Sequence, residues 1–142
     1  MGEIFRGTFE ATPAGNDRAR EDLEYHLKRA MPGQPTLVMD ITIAIGEVLQ
    51  NIVRHEFGHP AAGQGYALSV SESSGSLFID ILDNAPSLST TAFLEAEHEA
   101  GIHGGMGLGI VREVMDAYSI EVLQGGNLHR LAVQLPLPPT HP

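Results

Sequence analysis

Cysteine is absent from the 142 residues, which excludes a disulfide framework and a thiolate zinc site. Lysine is nearly absent too. Lys28 stands with scattered arginines against 18 acidic residues, and the net charge is −10. Such a surface repels nucleic acid and anionic lipid, so neither is an expected partner. The first residues, Met1-Gly2-Glu3-Ile4-Phe5-Arg6, lack a basic stretch followed by an apolar core, so no signal peptide is expected. Arg6 stands where a myristoylation signal needs Ser or Thr. No apolar run approaches the ~20 residues of a membrane span. A cytoplasmic protein is the expectation.

What is present suits one domain over residues 1–142, with 42% hydrophobic residues to build a core and a loose proline-rich tail over 136–142. Residues 3–10 alternate as a strand. Asn16 or Asp17 is placed to cap a helix reaching about Met31, and Pro32-Gly33-Gln34-Pro35 breaks it. Ile41, Ala44, Ile45, Val48 and Ile52 mark the buried stripe of a second helix over about 36–57. Two strands, 66–71 and 77–82, flank the hairpin turn Ser73-Ser74-Gly75. Residues 87–103 are polar and form a lid-like loop with at most a short helix. A third helix reaches about Tyr118, and strands 119–124 and 128–135 flank Gly125-Gly126-Asn127. This order predicts an α+β two-layer sandwich: a mixed, mainly antiparallel sheet with its helices on one face.

Three places carry chemistry. Glu47 and Asn51 lie one turn apart and share a helix face, continued by Arg54 and His55. A solvated face explains them. So does a site in which the Asn51 carbonyl offers Mg²⁺ a hard oxygen and Glu47 accepts a proton from an attacking hydroxyl. Asp83 continues the apolar parity of Leu77, Ile79 and Ile81. A carboxylate at the edge of a core needs a donor; the amine of adenine is one, and a strand-end turn over Asn84-Ala85-Pro86 is the plainer reading. Gly104-Gly105-Met106-Gly107-Leu108-Gly109 precedes a helix, where backbone N–H groups suit phosphate, or where a hinge is needed. It is neither a P-loop nor a Rossmann fingerprint.

In this order, Gly46-Glu47-Val48-Leu49-Gln50-Asn51-Ile52-Val53-Arg54-His55, Ile81-Leu82-Asp83-Asn84-Ala85-Pro86 and Gly104-Gly105-Met106-Gly107-Leu108-Gly109-Ile110-Val111 resemble the ATPase superfamily of gyrase, histidine kinases and MutL. Within it the chain is similar to the anti-sigma-factor serine/threonine kinases. The resemblance covers nearly the whole chain and implies a Bergerat-type ATP-binding fold, with ATP and Mg²⁺ as cofactors. It implies Asn51 as the Mg²⁺ ligand, Glu47 as general base and Asp83 as acceptor of the adenine amine. Ala85, Gly105, Gly107, Leu108 and Gly109 would border the nucleotide, under a lid over 87–103. The implied partners are a sigma factor and a STAS-type anti-anti-sigma protein that is phosphorylated; the implied assembly is a homodimer. Two features depart from the family's pattern. Ala85 stands where glycine is usual, and the lid carries Glu95, Glu97 and Glu99 without Lys or Arg. They favour an alternative, a kinase-inactive partner-binding module of the same fold. A remoter one is a zinc metallohydrolase through His55-Glu56-Phe57-Gly58-His59, with His98 or His103 as third ligand. Gly58 and Pro60 oppose the continuous helix that it needs. His26, His129 and His141 show no ligand spacing and are expected at the surface or partly buried. Tyr25 and Tyr118 are expected in core packing.

Overall fold

The computed structural model describes residues 2–56, 64–85 and 108–136. Strand β1 (Gly2–Glu10) leads into helix α1 (Pro13–Ala30). The Thr12 Oγ1 caps α1 by accepting the Gly15 N–H at 3.0 Å, Pro13 starts it with a fixed φ, and Lys28 and Arg29 complement the dipole of its last turn. The cap therefore lies before the expected Asn16 or Asp17. Asn16 is inside the helix and buried. Helix α2 (Pro35–Asn51) follows, also begun by proline. It buries Val38, Ile41, Ala44, Ile45, Val48 and Leu49, with Asn51 at its end. Residues Ile52–Glu56 continue as one π-helical turn rather than as α-helix, a local widening that often accompanies functional sites.

Strands β2 (Gly65–Ser73) and β3 (Ser76–Asp83) form a hairpin, and helix α3 (Leu108–Val114) precedes the hairpin of β4 (Ala117–Leu123) and β5 (Gly126–Gln134). Tyr118, expected at the end of the third helix, lies in β4. Ser74 and Gly75 turn the first hairpin with φ of 53° and 79°, a pair of left-handed residues that matches strand twist. The sheet order is β1-β2-β3-β5-β4, and all four pairings are antiparallel. The α+β sandwich is thus as expected, without a parallel pair among the described residues.

Tyr66, Leu68 and Val70 of β2, Leu77, Ile79 and Ile81 of β3, and Leu131 and Val133 of β5 are buried in one core with the apolar stripes of the helices. Phe78 and Leu82, of opposite parity, are exposed. Helix α2 packs against both α1 and α3. The expectation of no span-length apolar stretch needs correction. Pro35–Arg54 is long and apolar enough, by length and composition, to cross a membrane, because its charged residues are widely spaced. More than half of it is buried inside this fold, as in the core helix of a two-layer domain.

Candidate functional site

Register sets the site. Tyr66 of β2 pairs with Asp83 of β3, which pairs with Asn127 of β5; one step inward, Leu68, Ile81 and His129 stand in the next row. All six side chains share the buried parity, and the alternation that buries Leu131 and Val133 also carries Asn127 and His129 into the core. Gly126 allows the close approach of the strands: a Cβ there would lie 2.2 Å from the Asp83 carbonyl oxygen.

Asp83 is 2% exposed, and its carboxylate is met by donors. Oδ1 accepts the Ala85 N–H at 3.0 Å and the Asn127 Nδ2–H at 3.1 Å. Oδ2 lies 3.3 Å from His129 Nε2, whose Nδ1 lies 2.8 Å from the Tyr118 hydroxyl. Asn84 closes the strand end by accepting the Gly65 N–H at 2.9 Å. A buried carboxylate ringed by donors is an acceptor, as the sequence required of it. Ala85 is fully buried in the core, with its N–H turned to Asp83.

The first turns of α1 meet this same end of the sheet. The Tyr66 hydroxyl donates to Asn16 Oδ1 at 2.7 Å, tying the start of β2 to the first turns of α1. Burial pushes the Tyr66 phenol well above its usual range, with the charge of Arg20 opposing the shift. Asn16, Asp17 and Arg20 in turn share a polar cleft of about 440 Å³ with Glu47, Gln50 and Arg54. Arg20 lies over Gly46, where a Cβ would meet its Cδ at 2.7 Å, and is paired with Asp17. Glu47 is half-buried at this cleft, whereas Asn51, one turn on, is 2% exposed. The polar face expected to run on from Asn51 through Arg54 and His55 enters the π turn, where Arg54 is exposed and lines the cleft beside Glu47.

Leu108 and Gly109 open α3. Leu108 is buried, and the Cα of Gly109 faces open space. The far end of α3 is held to β5, where the Asp116 N–H donates to the Ala132 carbonyl and its carboxylate accepts the Gln134 N–H. Gly105 and Gly107, the lid over 87–103, His59, His98, His103 and the tail from 137 lie outside the described residues. Among the described residues no cluster of three His, Cys, Asp or Glu could hold a metal.

His129, Asn127 and Tyr118 were not singled out by sequence. His129 is fully buried, neither at the surface nor partly buried as expected. The signal was available: Asn127 and His129 hold the same strand parity as Leu131 and Val133. Asn16, Tyr66 and Arg20 were missed because only the fold brings α1 to the sheet.

The histidine kinase-like ATPase domain model matches residues 9–133. The RsbU and RsbW domains of Rv1364c from Mycobacterium tuberculosis resemble the chain with a TM-score of 0.66 at 17% identity, covering 92% of this chain and 31% of that one. The catalytic domain of histidine kinase ThkA matches with a TM-score of 0.55 at 10% identity, covering 92% and 96%. The histidine kinase domain of the Erythrobacter litoralis EL346 blue-light activated kinase matches with a TM-score of 0.51 at 20% identity, covering 70% and 45%. The chain thus spans about a third of the Rv1364c protein's structure. These likenesses are of fold. No match is found among curated proteins.

Proposed function

From the premise that this chain belongs to the histidine kinase-like ATPase domain family, we propose that it binds ATP with Mg²⁺ and phosphorylates a serine or threonine of a STAS-type anti-anti-sigma partner. Its other partner is a sigma factor or similar regulator, and it works as a homodimer. The observation that carries ATP binding is Asp83: a buried carboxylate at the end of β3, held by the Ala85 N–H and the Asn127 amide and facing the His129 ring. Such a group accepts the amine of adenine. The structural likeness to a protein containing an RsbW domain supports the anti-sigma kinase class within the family.

The residues present fit the cofactors. The buried Asn51 amide at the end of α2 offers one hard oxygen, the kind and number of protein ligand that Mg²⁺ takes when phosphates and water complete its shell. Bound there, the ion would neutralise phosphate charge. Glu47, at the polar cleft and open to solvent in part, accepts the proton of the partner's hydroxyl. Arg54 lines the same cleft beside Glu47, and Arg20 lies there paired with Asp17. Leu108 and Gly109 border the nucleotide at the start of α3. The location is cytoplasmic.

Labelled ATP, the purified chain and a STAS partner provide the test. Wild type should transfer phosphate, and Glu47→Gln should bind ATP yet transfer at least ~100-fold more slowly, the scale of a lost general base. Unchanged transfer by Glu47→Gln removes Glu47 from the role. A wild type that binds nucleotide and partner but never transfers leaves the kinase-inactive module.

A further inference from the structure

His129 is fully buried, titratable, and given no part in the reaction proposed above. Its ring lies between two polar groups of the same sheet: Nε2 is 3.3 Å from Asp83 Oδ2, and Nδ1 is 2.8 Å from the Tyr118 hydroxyl. The Tyr118 and His129 rings are also stacked, 6.0 Å between centroids and 21° apart. A neutral imidazole carries one N–H, and which nitrogen carries it is fixed by what each nitrogen faces. A carboxylate at Nε2 selects the N–H there. That leaves Nδ1 as an acceptor, and the Tyr118 hydroxyl is the group placed to donate to it.

We propose that Tyr118 and His129 are positioning residues that set base selectivity: Tyr118 locks the His129 ring as the Nε2–H tautomer, and that N–H orients Asp83 as an acceptor for the 6-amino group of a purine. This deepens the nucleotide reading of Asp83 and rests on it. The chain of donation runs Tyr118 O–H to His129 Nδ1, then His129 Nε2–H to Asp83 Oδ2. The Asn127 amide and the Ala85 N–H fix the other carboxylate oxygen. With groups on both oxygens, the Asp83 carboxylate is held in place as an acceptor. A base presenting an amine is welcomed, and one presenting a carbonyl at that position meets a second acceptor and is refused. Chain topology makes the relay cheap to build. Ile120 of β4 pairs with His129, so Tyr118 reaches the ring from a diagonal position on the neighbouring strand.

The experiment has two parts on the same 142-residue chain. Nitrogen-15 spectra of the nucleotide-free protein report the His129 tautomer, with His129→Gln identifying the signal. Titration with ATP and with inosine triphosphate, which carries a carbonyl in place of the amine, reports selectivity. The expected result is a neutral Nε2–H ring in wild type and mixed tautomers in Tyr118→Phe. The same variant should bind ATP about fivefold more weakly, the size of one neutral hydrogen bond, with inosine triphosphate binding unchanged. His129→Gln retains a donor without a tautomer to fix, so Tyr118→Phe should then have no effect on selectivity. An Nδ1–H ring or an imidazolium in wild type overturns the proposal. So does a Tyr118→Phe variant that weakens both nucleotides alike, which is the mark of a packing role, or one that weakens neither. Wild type that prefers ATP while Tyr118→Phe changes nothing contradicts this pair alone, whereas wild type that binds both nucleotides equally also removes Asp83 as acceptor of the adenine amine. Wild type that binds neither contradicts the nucleotide reading itself, and the selectivity role falls with it.

Discussion

Removing the Asp83 carboxylate leaves donors behind, and the cost follows from their number and burial. In Asp83→Ala the Ala85 N–H, the Asn127 amide and the His129 ring, all on buried residues, lose their common acceptor. An unsatisfied buried donor costs ~1–3 kcal/mol, and breaking a buried charged network by deleting one member costs ~3–5 kcal/mol. With partial relaxation into the small cavity, the expected loss is about 3–5 kcal/mol, a large share of the ~5–15 kcal/mol that holds a domain together. Asp83→Asn is different. Its amide oxygen still serves Ala85 and Asn127. Its amide N–H now faces His129, which accepts after its proton moves to Nδ1 and the Tyr118 hydroxyl turns to accept in its turn. Every group stays partnered, so the cost is about 1 kcal/mol. Urea unfolding of both variants with matching denaturant slopes measures the difference. An Asp83→Ala protein within 1 kcal/mol of wild type, or an Asp83→Asn protein as unstable as Asp83→Ala, would refute the network. The pair also separates stability from ligand chemistry: Asp83→Asn should stay folded and still lose ATP, because it presents a donor where the adenine amine needs an acceptor.

Gly126→Ala forces a Cβ to within 2.2 Å of the Asp83 carbonyl oxygen unless the strands part. A loss of ~1–3 kcal/mol is expected, and a stability unchanged in urea would contradict the close approach. Tyr66→Phe removes the hydroxyl that donates to Asn16 and should cost about 1 kcal/mol at neutral pH. Burial raises the Tyr66 pKa in the folded state. The unfolded chain therefore releases that proton first, and the phenol's contribution is whole below its ordinary value of about 10 and declines as pH rises above it. The alkaline limb of the stability curve should be shallower in Tyr66→Phe than in wild type; parallel limbs count against this assignment.

Much of the fold was legible from local rules. The proline breaks, the Ser74-Gly75 turn and the apolar stripe of α2 each carry their signal within a few residues. The cap of α1 was misplaced because Asn16 looks like a cap by residue type, while its real partner, Tyr66, is 50 residues away. The π turn after Asn51 has no sequence signature, so the continuation of the Glu47–Asn51 face could not be followed through Arg54. Asp83 was legible from parity alone. What surrounds it was not: Asn127 and His129 reach it, and Tyr118 reaches His129, through strand register and a crossover between β3 and β5, and register over that separation is set by the whole core. His129 illustrates the general difficulty. A histidine without ligand spacing reads as a surface residue until the strand's apolar neighbours are counted on the same side. Pro35–Arg54 shows the converse, a segment whose composition suits a lipid setting and which here forms the centre of a protein core.

The central claim is that the buried ends of α2 and β3 form one nucleotide site. Calorimetric titration with ATP and ADP, in Mg²⁺ and in EDTA, tests it most directly, with Asn51→Ala and Asp83→Asn alongside. The account predicts saturable ATP binding by wild type that depends on Mg²⁺. Asn51→Ala should lose the Mg²⁺ dependence, and Asp83→Asn should lose binding while remaining folded. No binding by folded wild type at millimolar nucleotide, or binding that both variants retain in full, would contradict it.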